Sequence, residues 1–275
     1  MVTGPIIPTP GAVMECTKLL YEYLGDLIVL DVGGATTDLH SVTVESDQVA
    51  RLMISPEPKA KRTVEGDLGV YVNRWKVVES IGEEKLREQC REQGFSMEHA
   101  LETYRAIPKT EEEVKLVELL TREAVVKAAE RHAGRLRYIY GPSGRSTVAE
   151  GKDLTQVKYI VGTGGALTRL PHREEIMREI TRCNESGMLL LPGEHAQILV
   201  DHDYIMASLG VLSKRYPQAA ARLLEQSLGI TFPERKAESR YPSATRSSPG
   251  LRPSGSSGKR SCGGTLRSAR PWAMI

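Results

Sequence analysis

Aromatic residues are scarce in this 275-residue chain, with two Trp, two Phe and ten Tyr making up 5% of it. A core built almost without them must rest on Leu, Ile, Val and Ala, and base stacking on aromatic platforms is not expected. Cysteine is sparse as well. Cys16, Cys90, Cys183 and Cys262 stand far apart, with no C-x-x-C pair and no His at metal-ligand spacing. That excludes a zinc knuckle or a disulfide framework and suits reduced thiols in the cytoplasm. Long apolar runs are missing too, since none approaches the roughly 20 residues a membrane span needs. The first residues carry no basic stretch ahead of an apolar one, and Pro5, Pro8 and Pro10 break any signal-like segment.

Neither sign of charge dominates, the formal net charge being +2, but its distribution is uneven. Arg235 to Ile275 hold nine of the 37 Lys and Arg and one of the 35 acids, Glu238. The preceding part is left with 28 basic against 34 acidic residues, a balance of −6. A mildly acidic body argues against a nucleic-acid-binding surface on the folded part. The Ser-, Gly-, Pro- and Arg-rich segment 234–275 has almost nothing to bury and is expected to be disordered, either a functional basic tail or an out-of-frame extension.

With 40% apolar residues, the part up to 233 is long enough to bury a sizeable core. Val13, Cys16, Leu20 and Leu24 recur at helical spacing behind Pro10, predicting a helix over 11–24. "LIVLDVGGATTDLHSV", Leu27 to Val42, reads as strand, turn and returning strand. Residues 56–82 read as loop with short structured pieces. A helical insert follows over about 82–133, in which Thr110 and Glu113 form a capping-box pair and Val114, Val117, Thr121, Val125 and Ala128 trace one stripe. Strand signals return at Arg135–Gly141, Val157–Gly165, "MLLLP" and "AQILVD", with helices over 173–183, 203–216 and 217–229. Strands interleaved with helices make an α/β fold.

Two glycine-rich strand ends carry the chemistry. Polyphosphates are held by amides exposed where glycine lets the chain approach closely, and by hydroxyls that replace water. Gly33, Gly34, Thr36 and Thr37 supply that set. Asp31, at the strand tip, is placed to hold Mg²⁺, which favours carboxylate oxygens and retained waters. A tight hairpin turn uses the same residue types, so the first stretch alone leaves both readings open. The second, "YIVGTGGALTRLP", ends another apolar strand in Gly162, Gly164 and Gly165. Bare backbone there could pack on a base, and Arg169 could stack on it or reach phosphate; a strand-to-helix turn needing positive φ is the plainer alternative. The six histidines are dispersed and suggest no metal site.

The pair of motifs resembles the second phosphate motif and the adenosine motif of the actin-like ATPase superfamily. More narrowly, "PTPGAV", "DVGGATTDLHSV", "KRTVEGDLG", "GKDLTQVKYIVGTGGALTRLP" and "ILVDHDYIMASLGVLSKRYP" together resemble the MutL family, accessory proteins to adenosylcobalamin-dependent glutamate mutase, from about Pro8 to Ile230. The resemblance implies an actin-like (ribonuclease H-like) lobe over 1–233 that uses ATP and Mg²⁺, with mutase subunits as partners. It also implies reactivation of the mutase by release of damaged cobalamin. Asp31 would then serve the metal, Gly33 to Thr37 the phosphates, and Gly164, Gly165 and Arg169 the adenosine, with Glu65 and Asp67 near nucleotide or metal. The family's first phosphate motif has no counterpart ahead of Asp31, so a truncated member, with weak or absent hydrolysis, is expected. A non-catalytic interaction module and a kinase of the same superfamily are the alternatives.

Overall fold

The computed structural model describes residues 6–142, 144–184 and 186–233. Helix α1 (Thr9–Leu24) carries Pro10 in its first turn, where the missing N–H costs nothing, and buries Val13, Cys16, Leu20 and Leu24 as the spacing predicts. Strands β1 (Leu27–Val32) and β2 (Thr37–Val42) follow, joined by a four-residue turn. A short α2 (Asp47–Ala50) precedes β3 (Ala60–Glu65). Four helices come next: α3 (Arg74–Ile81), α4 (Glu83–Glu92), α5 (Met97–Glu102) and α6 (Glu111–His132). A hairpin of β4 (Arg135–Gly141) and β5 (Gly144–Glu150) leads to β6 (Tyr159–Thr163) and α7 (Gly164–Arg169). The chain continues through α8 (Arg173–Arg178), a 3₁₀ turn (Glu179–Thr181), β7 (Gln197–Val200), α9 (Met206–Ser213) and α10 (Pro217–Leu228).

Five strands form one mixed sheet in the order β3-β2-β1-β6-β7. The first three run antiparallel to one another, whereas β6 runs parallel to β1 and β7 parallel to β6. Central β1 is apolar along most of its length because both faces of the sheet are covered. Ile28, Leu30 and Val32 pack with Leu39, Leu116, Leu120, Ala124 and Ile176 on one side. Leu27 and Val29 pack with Val13, Leu20, Val161, Leu209 and Leu224 on the other. Helix α6 therefore lies directly on the sheet, its Leu116 and Leu120 sharing a core with Ile28 and Leu30, and α4 and α5 pack against α6.

Two local readings differ from the sequence expectation. The short structured pieces of 56–82 are β3 and α3, whereas β5 occupies a stretch to which no element was assigned. Strand β3 is an edge strand of partly exposed side chains, half of them charged, so its sequence, AKRTVE, shows no apolar alternation. "MLLLP" buries Leu190 and Leu191 without forming a strand and joins its neighbour through a single bridge, Arg135 to Leu189. Segment 234–275, read as a disordered tail, and Cys262 within it lie outside the described residues. Among the described residues no helix is long and apolar enough to cross a membrane.

Candidate functional site

The β1–β2 turn, Gly33 to Thr36, is held from within and from below. The Gly33 amide donates to the Thr36 carbonyl at 2.9 Å, and the Gly34 carbonyl accepts from the amides of Tyr71 (2.9 Å) and Val72 (2.7 Å). The Asn73 side-chain amide donates to the Ala35 carbonyl at 2.7 Å and to the Gly66 carbonyl at 2.8 Å. Gly69 lies so close beneath the turn that a Cβ there would stand 2.2 Å from the Ala35 carbonyl carbon. Every outward feature of the turn is thus fixed by segment 66–73. The amides of Gly34, Ala35 and Thr36 donate to no group among the described residues, and Gly34 and Ala35 are exposed. Three free, fixed N–H groups on a glycine turn form a cradle suited to an anion.

Beside this turn stand two carboxylates. Asp31 and Asp38 are cross-strand partners, so their side chains emerge on one face of the sheet. Burial, and then the carboxylates of Asp38 and Asp201, push the Asp31 carboxyl up to about 6. Asp31 has no salt bridge or side-chain hydrogen bond among the described residues. Burial likewise raises Asp38; its Oδ2 accepts from the Thr36 hydroxyl at 3.1 Å, while its buried Oδ1 has no partner among the described residues. An orphaned buried carboxylate oxygen costs free energy until a cation or water meets it. No group of three or more His, Cys, Asp or Glu side chains among the described residues forms a metal cage. A pair of carboxylates suits Mg²⁺, which keeps waters and shares phosphate oxygens.

The second glycine turn reaches the same edge. Asp31 pairs with Thr163 across the parallel β1–β6 ladder, so the residue after Thr163 arrives beside Asp31. That residue is Gly164, at φ +86°, where a Cβ would lie 2.5 Å from Asp31 Oδ1 and 2.5 Å from the Val32 carbonyl oxygen. Only glycine fits both the backbone conformation and the space. Gly165 and Arg169 are exposed on α7.

Two predicted ligands are placed otherwise. Gly162 is buried inside the sheet, where a Cβ would meet Met177 Sδ at 2.6 Å, so it serves strand-to-helix packing. The Thr37 hydroxyl is fully buried and donates to the Leu68 carbonyl at 2.8 Å, which ties β2 to the loop beneath the turn. Glu65 and Asp67 are held by Arg131 of α6, at 2.7 and 2.8 Å from its guanidinium. The hydrogen bond from Arg131 keeps the Asp67 carboxyl below its ordinary range.

Two residues at this edge were not anticipated. Asp201, directly after β7, is fully buried. It accepts from the Thr163 hydroxyl (2.8 Å), the Ser227 hydroxyl (2.6 Å) and the amides of Ile205 (3.2 Å) and Met206 (3.0 Å). It thereby caps α9 and pins β6 to β7. Tyr204 is a non-glycine residue at φ +56° with 53% of its surface exposed. Burial, then the charges of Asp31 and Asp201, raise its hydroxyl above the ordinary phenol range. The apolar strand QILV running into Asp201 was the available signal for the first; nothing in the sequence marks a left-handed tyrosine.

A family model described as MutL protein matches residues 1–228, which include both glycine turns and every helix and strand from α1 to α10. The chain belongs to the MutL protein family. Protein MutL of Clostridium tetanomorphum is 35% identical over 239 residues, covering 82% of this chain and 52% of that relative. This MutL family chain thus spans about half the length of the curated relative it matches.

Proposed function

We propose that this MutL family chain forms the nucleotide-binding lobe of an actin-like ATPase fold. We propose also that it serves as an ATP-dependent accessory protein which reactivates an adenosylcobalamin-dependent glutamate mutase, or a related carbon-skeleton mutase. The observation that carries the nucleotide reading is the contact of Gly164 with Asp31, which sets both glycine turns on one sheet edge. Family membership supports the accessory role.

In this reading the free amides of Gly34, Ala35 and Thr36 receive phosphate oxygens, with Gly33 shaping the turn and Thr36 adding a hydroxyl. Asp31 and the orphaned Oδ1 of Asp38 fit a hydrated Mg²⁺, which when bound would neutralise phosphate charge. The bare backbone at Gly164 and Gly165 takes the adenosine, and the Arg169 guanidinium lies within the same short helix to stack on the base or meet phosphate. Thr37 and Gly162 hold the scaffold. Turnover demands groups positioned on every side of the phosphates. These residues supply one side, so hydrolysis by this chain alone is expected to be slow or absent.

Titration with ATP and Mg²⁺ tests the assignment. Asp31→Ala removes the metal carboxylate, and Gly34→Val forces a side chain where even a Cβ would be 3.3 Å from Tyr71 Cβ. Each variant is expected to weaken binding about tenfold or more. Unchanged affinity in both would remove the phosphate site. ATP-dependent release of cyanocobalamin from purified mutase, with the chain added, tests the reactivation role separately.

A further inference from the structure

The β4–β5 hairpin is anchored only at its base. There Leu136 and Ala149, register partners on one face, pack with Val49, Leu52, Met53 and Leu190. The Leu136 amide donates to the Met188 carbonyl at 2.7 Å, and the Ala149 amide to the Leu52 carbonyl at 2.7 Å. Side chains two residues further along each strand emerge on that same face. The buried face therefore runs outward into Tyr138, paired with Thr147, and Tyr140, paired with Arg145. Cover stops where these begin: Tyr138 is 48% and Tyr140 79% exposed, and Ile139 on the reverse face is 50% exposed.

Arg145 lies with its guanidinium carbon 4.5 Å from the Tyr138 ring centroid and has no carboxylate partner among the described residues. Arg137, across the ribbon, is paired with Glu150 at 2.6 Å. The tip is thus a tyrosine surface with one unneutralised cation at its centre, in a chain where aromatic residues are few. An isolated two-stranded ribbon is marginally stable in water, and a face that is apolar past its anchor is completed by being covered. Tyr and Arg are the residue types that dominate binding energy at protein interfaces.

We propose that this hairpin is a docking arm for a partner protein that offers a carboxylate beside an apolar groove, the carboxylate meeting Arg145 and the groove taking Tyr138 and Tyr140. A nucleic acid fits less well, because the body behind the arm carries a balance of −6 and repels a polyanion. The choice of the mutase as that partner rests on the function proposed above.

The test measures binding of the full chain to purified mutase subunits, for wild type, Tyr140→Ala and Arg145→Glu. Both positions are exposed, so unaltered thermal melting confirms that each variant is folded. Affinity is expected to fall about tenfold or more in each variant, wild-type binding is expected to weaken as salt is raised, and the Mg²⁺–ATP affinity of all three is expected to be the same. Equal mutase affinity in the variants would overturn the arm while leaving the mutase partnership intact. Failure of wild type to bind the mutase would overturn this partner. Self-association, or binding of duplex DNA, that the same substitutions abolish would assign the arm another occupant and overturn the proposal as well. Loss of nucleotide binding alone would defeat only the nucleotide reading, since the arm is read out independently.

Discussion

Alanine at position 164 would place its Cβ 2.5 Å from Asp31 Oδ1 and from the Val32 carbonyl oxygen, and 2.6 Å from the Val32 nitrogen, at a backbone φ of +86°. Two of these neighbours are backbone atoms of the central strand and cannot swing aside. Holding a non-glycine residue in that conformation costs about 1–3 kcal/mol, and overpacking a well-filled site costs about 1–3 kcal/mol more. The sum, about 2–6 kcal/mol, is a large part of the roughly 5–15 kcal/mol that separates folded from unfolded states. At about 2–4 °C per kcal/mol for a chain of this size, Gly164→Ala should melt roughly 4–24 °C below wild type. Gly165→Ala is the control. A Cβ at 165 meets nothing within 4 Å, so its cost should stay within about 0.5 kcal/mol. Circular-dichroism melting of the three proteins, with and without Mg²⁺ and ATP, reads both numbers. A Gly164→Ala protein that melts within about 1 °C of wild type, or a Gly165→Ala protein that falls equally far, would refute the convergence of the two turns.

Asp31 and His40 predict pH effects of opposite sign. The folded-state pKa of Asp31, about 6, lies above its ordinary value of 3.8, so stability linked to the protonated form is present below about pH 4 and lost as pH rises through 6. Asp31→Asn should therefore stabilise the nucleotide-free protein by on the order of 2 kcal/mol at pH 7.5 and hardly at all at pH 4; urea curves showing the same gain at both would contradict this. His40 is fully buried with both ring nitrogens unpartnered among the described residues, and burial, then Arg62, lowers its pKa from 6.5 to about 3. Stability tied to the neutral ring is present above about pH 6.5 and declines as pH falls toward 3, by up to about 1.4 kcal/mol per pH unit. His40→Leu should be no less stable at pH 7 and lose less between pH 6 and 4; a loss above about 1 kcal/mol at pH 7 would show a partner for the ring. Lys152, fully buried, donates to the carbonyls of Thr43 (3.2 Å), Pro58 (2.8 Å) and Lys59 (3.2 Å). Lys152→Met strands the Thr43 and Pro58 carbonyls, while that of Lys59 keeps the Thr43 amide, and should cost about 2 kcal/mol or more in denaturant unfolding; a neutral result would mean that water replaces the ammonium.

Local chemistry was legible where a short stretch of sequence decides it. The Thr110–Glu113 capping box forms as read, with the Glu113 amide donating to the Thr110 hydroxyl at 3.2 Å, and α10 ends at Gly229 with φ +65°. The strand-end positions of Asp31, Gly34 and Gly164 were legible for the same reason, because an apolar run that stops at glycine marks where a strand gives way to a turn. The parts that escaped depend on distant partners. Arg131 neutralises Glu65 and Asp67 across more than 60 residues of sequence. Buried His132 bridges Ser41 (2.8 Å) and Thr63 (2.9 Å) of adjacent strands. Thr37 and Gly162 look like ligands by type, and their contacts with the Leu68 carbonyl and with Met177 come from segments that the local sequence does not reveal.

Asp201 gathers β6, β7, α9 and α10 into one knot, with Ser227 as its most distant strand of rope. Gly164 follows Thr163, which that knot tethers, so the placement of this sheet edge depends on a hydroxyl more than 60 residues downstream. A shortened chain meant to keep the edge intact has to extend beyond Ser227. Cutting ahead of it would leave both motifs legible in the sequence and the place where they meet unmoored.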